Sequence, residues 1–275
     1  MTHFPPGLYV VATPIGNLND LSARASETLV AAEVVAAEDT RTSGVIVKRV
    51  GSKARLVSLT EHNVEARTPG LLEAAKTGVV ALVSDAGTPG VADPGARLVE
   101  AAHEAGVAVF AVAGPSALAA AVSVSGMAGS DVYFLGFLPR KSGERRRRLE
   151  SAASVAAVLV LFESPNRVSS TLEDIAATLG DPVVTVCREL TKLHEEVVRG
   201  RASALAERFA HPRGEFTIVV QSPEQQEGDI AEVAAYLGEM KRAGAQRSLA
   251  VGEAVRRYGV ARDQAYNAWP ADGTS

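Results

Sequence analysis

A chain of 275 residues is long enough for two modest domains, and a formal net charge of -4 excludes a protein that coats nucleic acid with its whole surface. Hydrophobic residues at 47% supply ample core, whereas 5% aromatics leave too little for wide base-stacking platforms. Cys187 stands alone, which excludes an internal disulfide and a thiolate metal site, so it reads as a small buried residue and no metal is expected.

Residues 8–12 (LYVVA) read as a first buried strand, followed by the turn Thr13, Pro14, Ile15, Gly16, Asn17. Residues 21–32 read as a helix with Leu21, Ala25, Thr28, Leu29 and Ala32 on one face, and 34–37 as a second strand ending in Glu38, Asp39, Thr40, Arg41. An acid about 20 residues past a glycine turn is a feature of dinucleotide fingerprints. The turn here has one glycine where three are needed, so a nicotinamide cofactor is rejected.

Residues 43–50 read as helix, 56–59 as strand and 69–77 as helix. They lead into the stretch around which the chain is organised, VVALVSDAGTPGVADPG at 79–95. Its first five residues are an unbroken apolar run, rich in β-branched side chains and too short for a helix, hence a fully buried parallel strand. Ser84, Asp85, Gly87, Thr88, Pro89, Gly90, Asp93, Pro94 and Gly95 then form a loop that neither strand nor helix can continue, before an amphipathic helix at 96–106. A generic strand-turn-helix is often a plain connection; this loop's length and its two acids favour a ligand site beyond the strand's carboxyl end.

A strand at 107–112, the turn Ala113, Gly114, Pro115, Ser116 and a small-residue helix at 117–124 complete a first half that alternates strand and helix, the pattern of a largely parallel sheet. GMAGS at 126–130 reads as a linker. The second half has strands at 132–137, 157–162, 183–186 and 216–220, helices at 172–179 and 203–209, and a basic run after the first strand. A polar, acidic linker at 223–228 precedes helices at 230–240, 248–258 and 261–269. The expected organisation is α/β, with domains at 8–126 and 130–222, each a mostly parallel or mixed sheet flanked by helices, and a helical extension at 229–270. No apolar run approaches the roughly 18–20 residues that cross a membrane, and MTHFPPG lacks the features of a signal peptide, so a reduced cytoplasmic location is expected.

Turn segments fall at strand ends in a fixed order: TPIGN at Thr13, AEDTR at Ala37, SDAGTPGVADPG at Ser84, GPSA at Gly114, FESPNR at Phe162 and CRELTK at Cys187. Over residues 8–222 this combination resembles the bacterial 16S rRNA ribose 2'-O-methyltransferase branch of the tetrapyrrole (corrin/porphyrin) methylase superfamily. Tetrapyrrole-modifying relatives carry a GDP-type central loop, whereas Ser84 to Pro89 match the ribosomal branch. The resemblance implies a two-domain tetrapyrrole-methylase-like fold that binds S-adenosylmethionine in the cleft between domains, as a homodimer. It implies cofactor contacts at Pro14, Ile15, Asp85, Ala86, Gly87, Thr88, Ser116, Ala117, Phe162, Arg188 and Thr217, and a product 2'-O-methylated on a cytidine in the decoding region of 16S rRNA in the small subunit. Asp85 can accept from a ligand or from its own loop backbone, and the residues alone leave both open.

A ribose 2'-hydroxyl is a poor nucleophile until its proton is lost, so a positioned base or a cation beside the developing alkoxide is needed. Acids and cations at strand ends are Glu38, Asp39, Arg41, Glu163, Arg167, Arg188, Glu189 and Lys192; of these Glu189, Lys192, Asp39 and Arg41 are the catalytic candidates. Glu189 and Lys192 make an acid–cation pair one turn apart if that loop enters a helix, or an ordinary surface ion pair. The basic run Arg140, Lys141, Arg145, Arg146, Arg147, Arg148 is either a solvated helix face or a set of phosphate contacts to RNA, and its localisation in an acidic chain favours the second. Two other functions remain open: methylation of a small tetrapyrrole-like acceptor, and a non-catalytic ribosome-assembly factor.

Overall fold

A computed structural model describes residues 4–127, 131–222, 230–260 and 262–270. The first sheet is built from β1 (Gly7–Val11), β2 (Val34–Ala37), β3 (Arg55–Ser58), β4 (Val79–Val83) and β5 (Val109–Val112), in the order β3-β2-β4-β1-β5 with every pair parallel. Between them run α1 (Ala23–Ala31), α2 (Thr40–Arg49), α3 (Val64–Thr77) and α4 (Gly95–Glu104), and α5 (Ala117–Ser125) follows β5. β2 and β4 are buried along their whole length because helices cover both faces, one core containing Leu8, Ala36, Leu82 and Leu98, the other Val11, Leu29, Val35 and Val83. Register brings the carboxyl ends level, Val11 beside Val112 and Ala37 beside Val83, so the loops after β1, β2, β4 and β5 open on one edge.

The second sheet combines β6 (Val132–Phe137), β7 (Val158–Glu163), β8 (Val183–Arg188), β9 (Glu196–Arg201) and β10 (Phe216–Gln221) in the order β6-β7-β10-β8-β9. β6 and β7 are parallel and the other pairs antiparallel, so this sheet is mixed. Its helices are α6 (Ser142–Ala153), α7 (Val168–Leu179) and α8 (Ala202–Arg208). Then α9 (Ile230–Arg242), α10 (Arg247–Tyr258) and α11 (Arg262–Asn267) close around Val233, Leu237, Val251, Ala254 and Ala265, a small core of their own.

Three differences from the sequence reading have physical causes. β9, EVVRGR, was not anticipated because only two of its residues are strongly apolar; pairing with β8 from Arg188–Glu196 to Val183–Arg201 makes it an edge strand. Residues 189–192 therefore belong to the connection between two antiparallel strands and do not enter a helix. α3 starts at Val64 and carries Pro69 in its interior, since burying Val64 with Leu71 and Ala75 on one face outweighs the hydrogen bond that the proline removes. The stretch 223–228 and most of 126–130, both read as linkers, lie outside the described residues.

Candidate active site at the cleft between the two sheets

The loops after β1 and β4 are stitched together before any ligand is considered. Thr13 and Gly87 exchange backbone hydrogen bonds of 2.9 and 3.1 Å as an isolated bridge. Asp85 accepts from the backbone N–H of Asp39 at 2.9 Å, which couples the β4 loop to the end of β2. Thr88 donates to the carbonyl of Pro115 at 3.2 Å, and Asp93 folds the loop back by accepting from the N–H groups of Gly90 and Gly95. Ser116 caps α5, its hydroxyl accepting from the Ala119 N–H.

Across the cleft, Phe162 packs edge-on against Phe134 and Phe137, with centroids 4.8 and 5.8 Å apart. The buried Glu163 carboxylate accepts from the Ser164 N–H at 2.8 Å and the Thr171 hydroxyl at 2.7 Å, and pairs with Arg167 at 3.1 Å. Between the two walls lies a cavity of about 400 Å³. Ile15, Asp85, Ala86, Gly87, Thr88, Ser116 and Ala117 line it on one side, Phe162 and Thr217 on the other, so nine of the cofactor residues implied by the resemblance converge. Among the described residues, its walls contain Glu38, Asp85, Asp93, Glu163 and Glu215 but neither lysine nor arginine. That composition repels phosphates and suits a cationic, partly apolar ligand. Partial desolvation, and after it the carboxylates of Asp85, Asp93, Glu61 and Asp39, raise the Glu38 pKa. Burial, with a smaller push from Glu195, raises the Cys187 thiol to about 11, which leaves it protonated and inert.

Pro14 lies outside this cavity. It faces a second, more open one of about 660 Å³ that shares Ile15, Asp85, Ala86 and Glu215 with the first and adds Arg41 and Lys192. The Lys192 ammonium donates to Glu215 at 2.8 Å and Glu189 at 2.9 Å, so the anticipated acid–cation pair forms within a turn. That turn is tight: Glu189 and Thr191 are left-handed at φ 49° and 68° although neither is glycine, a strain found where surrounding structure holds a functional geometry. Asp39 caps α2 and grips Arg41 at 2.7 Å; hydrogen bonds from Arg41 hold its carboxyl well below the usual range, so it is a poor base.

Two expectations need correction. Arg188 lines neither cavity: its guanidinium donates to the Arg213 carbonyl at 2.7 Å and pairs with Glu196 at 3.3 Å, because β9 lies alongside and supplies the partner. Arg145 is 4% exposed and bound to Asp174, so it is a core cation and leaves the RNA-facing set. Arg146 also spends its Nε on Asp174 at 2.6 Å while remaining half exposed; Arg140, Lys141, Arg147 and Arg148 stay at the surface. Phe137 and Leu190 line the first cavity without having been singled out, while Glu215 and Phe216 line it beside Thr217, the position the resemblance implies; Phe137 and Phe216 sit at strand ends where such residues are found.

Residues 7–206 match the family described as Tetrapyrrole (Corrin/Porphyrin) Methylases, well over half of the chain. The chain belongs to that family. Among curated methylase relatives, "Ribosomal RNA small subunit methyltransferase I" of Mesorhizobium japonicum is 45% identical over 233 residues, covering 83% of this chain and 79% of the relative. The protein of the same name from Thermotoga maritima is 46% identical over 220 residues, 79% of this chain and 99% of its own. Among solved methylase-fold structures, a diphthine synthase superposes with TM-score 0.61 at 19% identity, over 78% of this chain and 90% of that one. A uroporphyrin-III C-methyltransferase from Thermus thermophilus gives 0.54 at 22% identity, over 78% and 94%; both likenesses concern the fold. Among the described residues, no helix of this methylase is long and apolar enough to cross a membrane.

Proposed function

We propose that this methylase transfers a methyl group from S-adenosylmethionine to the ribose 2'-hydroxyl of a cytidine in the decoding region of 16S rRNA, as a cytoplasmic homodimer acting on the small subunit. The observation that carries the reading is the pairing of a carboxylate-lined cavity, free of lysine and arginine among the described residues, with an adjoining open cavity that contains Arg41 and Lys192. Relatives named as small-subunit rRNA methyltransferases at 45% and 46% identity support the acceptor.

S-adenosylmethionine supplies an activated methyl group on a sulfonium, whose positive charge fits the carboxylate walls. Ile15, Phe137 and Phe162 offer apolar surface to an adenine, and Glu38, Asp85 and Asp93 offer acceptors to ribose hydroxyls and an ammonium group. Lys192 serves as a cation rather than a base. Desolvation pulls its pKa down, but hydrogen bonds to Glu215 and Glu189 outweigh that and leave it raised, so it stays protonated through neutral pH. Two of its three N–H donors are spent on carboxylates, and the third is available to a substrate oxygen. Placed there, it stabilises charge developing on the 2'-oxygen as the hydroxyl proton leaves to water. The Glu189 carboxyl, held low by its hydrogen bond to Lys192, keeps the ammonium in place.

Gly214 guards this arrangement. It adopts φ +100°, and a Cβ there would stand 2.5 Å from Glu189 Cγ. Gly214→Ala is expected to displace Glu189, lowering kcat at least about tenfold with a modest loss of stability, on the order of 1–2 kcal/mol. Steady-state kinetics beside a thermal melt check this, and an unchanged kcat would remove Glu189 from the mechanism.

The reading itself is tested by transfer of labelled methyl to small subunits lacking the modification, with naked rRNA alongside. Alkaline hydrolysis maps the product, because a 2'-O-methyl group blocks cleavage at its linkage. The expected result is label at one alkali-resistant position in the decoding region. Label on a base, or on no RNA, overturns the ribose assignment or the RNA assignment respectively.

A further inference from the structure

The second cavity encloses about 660 Å³, and its walls differ in chemistry. Leu18, Val45 and Ile46 form an apolar side. Val45 is 56% exposed although it faces this space, an apolar surface left uncovered. On the same helix, α2, the Arg41 side chain is 91% exposed, its guanidinium Nε and Nη2 donating to the Asp39 carboxylate. Ile15, Asp85, Ala86 and Glu215 border both cavities, so a molecule held in the second lies against the place proposed for the methyl donor.

We infer that this cavity receives one unstacked nucleotide of the RNA, its base against Leu18 and Val45, a flanking phosphate on Arg41, and its ribose at the shared border beside Lys192. The inference rests on the proposed function and adds the acceptor's position and state. A ribose inside an A-form helix is fixed against its neighbours and cannot enter a cleft between two sheets; a single splayed nucleotide can. Among the described residues the lining has no aromatic side chain, so the base is held by packing without stacking. Arg41 thereby acts on where the substrate sits, and Lys192 on the reacting oxygen.

The test uses the full-length protein with Val45→Asp and Arg41→Ala, neither of which lines the cofactor cavity. Affinity for S-adenosylmethionine, by equilibrium dialysis, and the melting temperature are expected to stay at wild-type values in both. Transfer to unmodified small subunits is expected to show KM raised at least about tenfold in Val45→Asp, where an unpaired charge meets the base. In Arg41→Ala the rise in KM comes with a log–log salt slope of binding reduced by about 1, as for one lost phosphate contact. Wild-type transfer to RNA with KM unmoved in both variants overturns this subsite and leaves the proposed function standing. Lost donor affinity at normal KM also overturns it, by assigning these residues to the donor site. A wild-type protein that methylates no RNA overturns the proposed function and this inference together.

Discussion

Replacing Lys192 with Met is expected to lower kcat by about 10²- to 10³-fold, the cost of removing one preorganised donor from a developing oxyanion. Affinity for S-adenosylmethionine is expected to stay near the wild-type value, because Lys192 lines the open cavity and not the carboxylate-lined one. The geometry makes the effect specific to charge. The ammonium bridges Glu189, in the turn after β8, and Glu215, immediately before β10, while Gly16 of the first domain packs on its stem so closely that a Cβ there would stand 2.4 Å from Lys192 Cγ. In the proposed mechanism a domain-closing contact and a catalytic cation are thus one side chain. Lys192→Arg separates the two roles: it keeps the charge but places a larger planar head, so partial recovery of kcat is expected. Because Lys192 remains protonated, the variant and the wild type should share the shape of their pH–rate profiles around neutrality. Single-turnover kinetics decide the matter; a loss confined to KM for the donor would place Lys192 in cofactor binding instead.

The second large effect concerns folding. Asp174→Ala is expected to destabilise the protein by about 3–5 kcal/mol, the usual consequence of stranding one member of a buried ion pair. Asp174 accepts from Arg145 Nε at 2.6 Å, Arg146 Nε at 2.6 Å and the Ser142 hydroxyl at 2.8 Å, with the side chains of Arg145 and Asp174 only 5% and 4% exposed. Burial pushes the Asp174 carboxyl up, but the hydrogen bonds from Arg146 and Ser142 and the charge of Arg145 prevail and hold it below the usual carboxylate range. A carboxyl whose pKa is depressed on folding stabilises the native state fully above its unfolded pKa, about 3.9, and that stability is lost as pH falls through the folded value. The variant should therefore lose the part of the acid-side stability slope that Asp174 supplies. Urea denaturation at pH 7 and at pH 3 checks both statements. The paired change Arg145→Met with Asp174→Leu is expected to recover most of the loss, since no charge is left buried. A single variant as stable as wild type would refute the buried-pair account.

Much of the cleft was legible from residue order alone. The apolar run at 79–83 became β4 and the turn formers after it became the loop that supplies Asp85 to Thr88, because a short β-branched run and a Gly/Pro-rich turn are decided within a few residues. The start of α5 at Ser116 and Ala117 was legible for the same reason: a turn ending in serine ahead of a small-residue helix is a local signal for a capped helix start. Helix starts were read late at α3 and α7 because burial of Val64 and Val168 extends each helix past what local propensity marks.

What the sequence by itself determined about this protein was its strands, the order of its loops and the family those loops resemble, all of them properties of neighbouring residues. The tertiary structure alone decided which charges are buried, which are paired and which face the cavities. Arg145 and Arg147 lie two places apart in one basic run, yet α6 turns the first into the core against Asp174 and leaves the second in solvent. Arg188, a cofactor contact by resemblance, lies outside both cavities because β9 brings Glu196 beside it, and Glu215 borders both cavities only because β10 holds it there. The physical reason is shared: a charge takes its role from partners far away in the chain, and only the folded sheet brings those partners within hydrogen-bond reach.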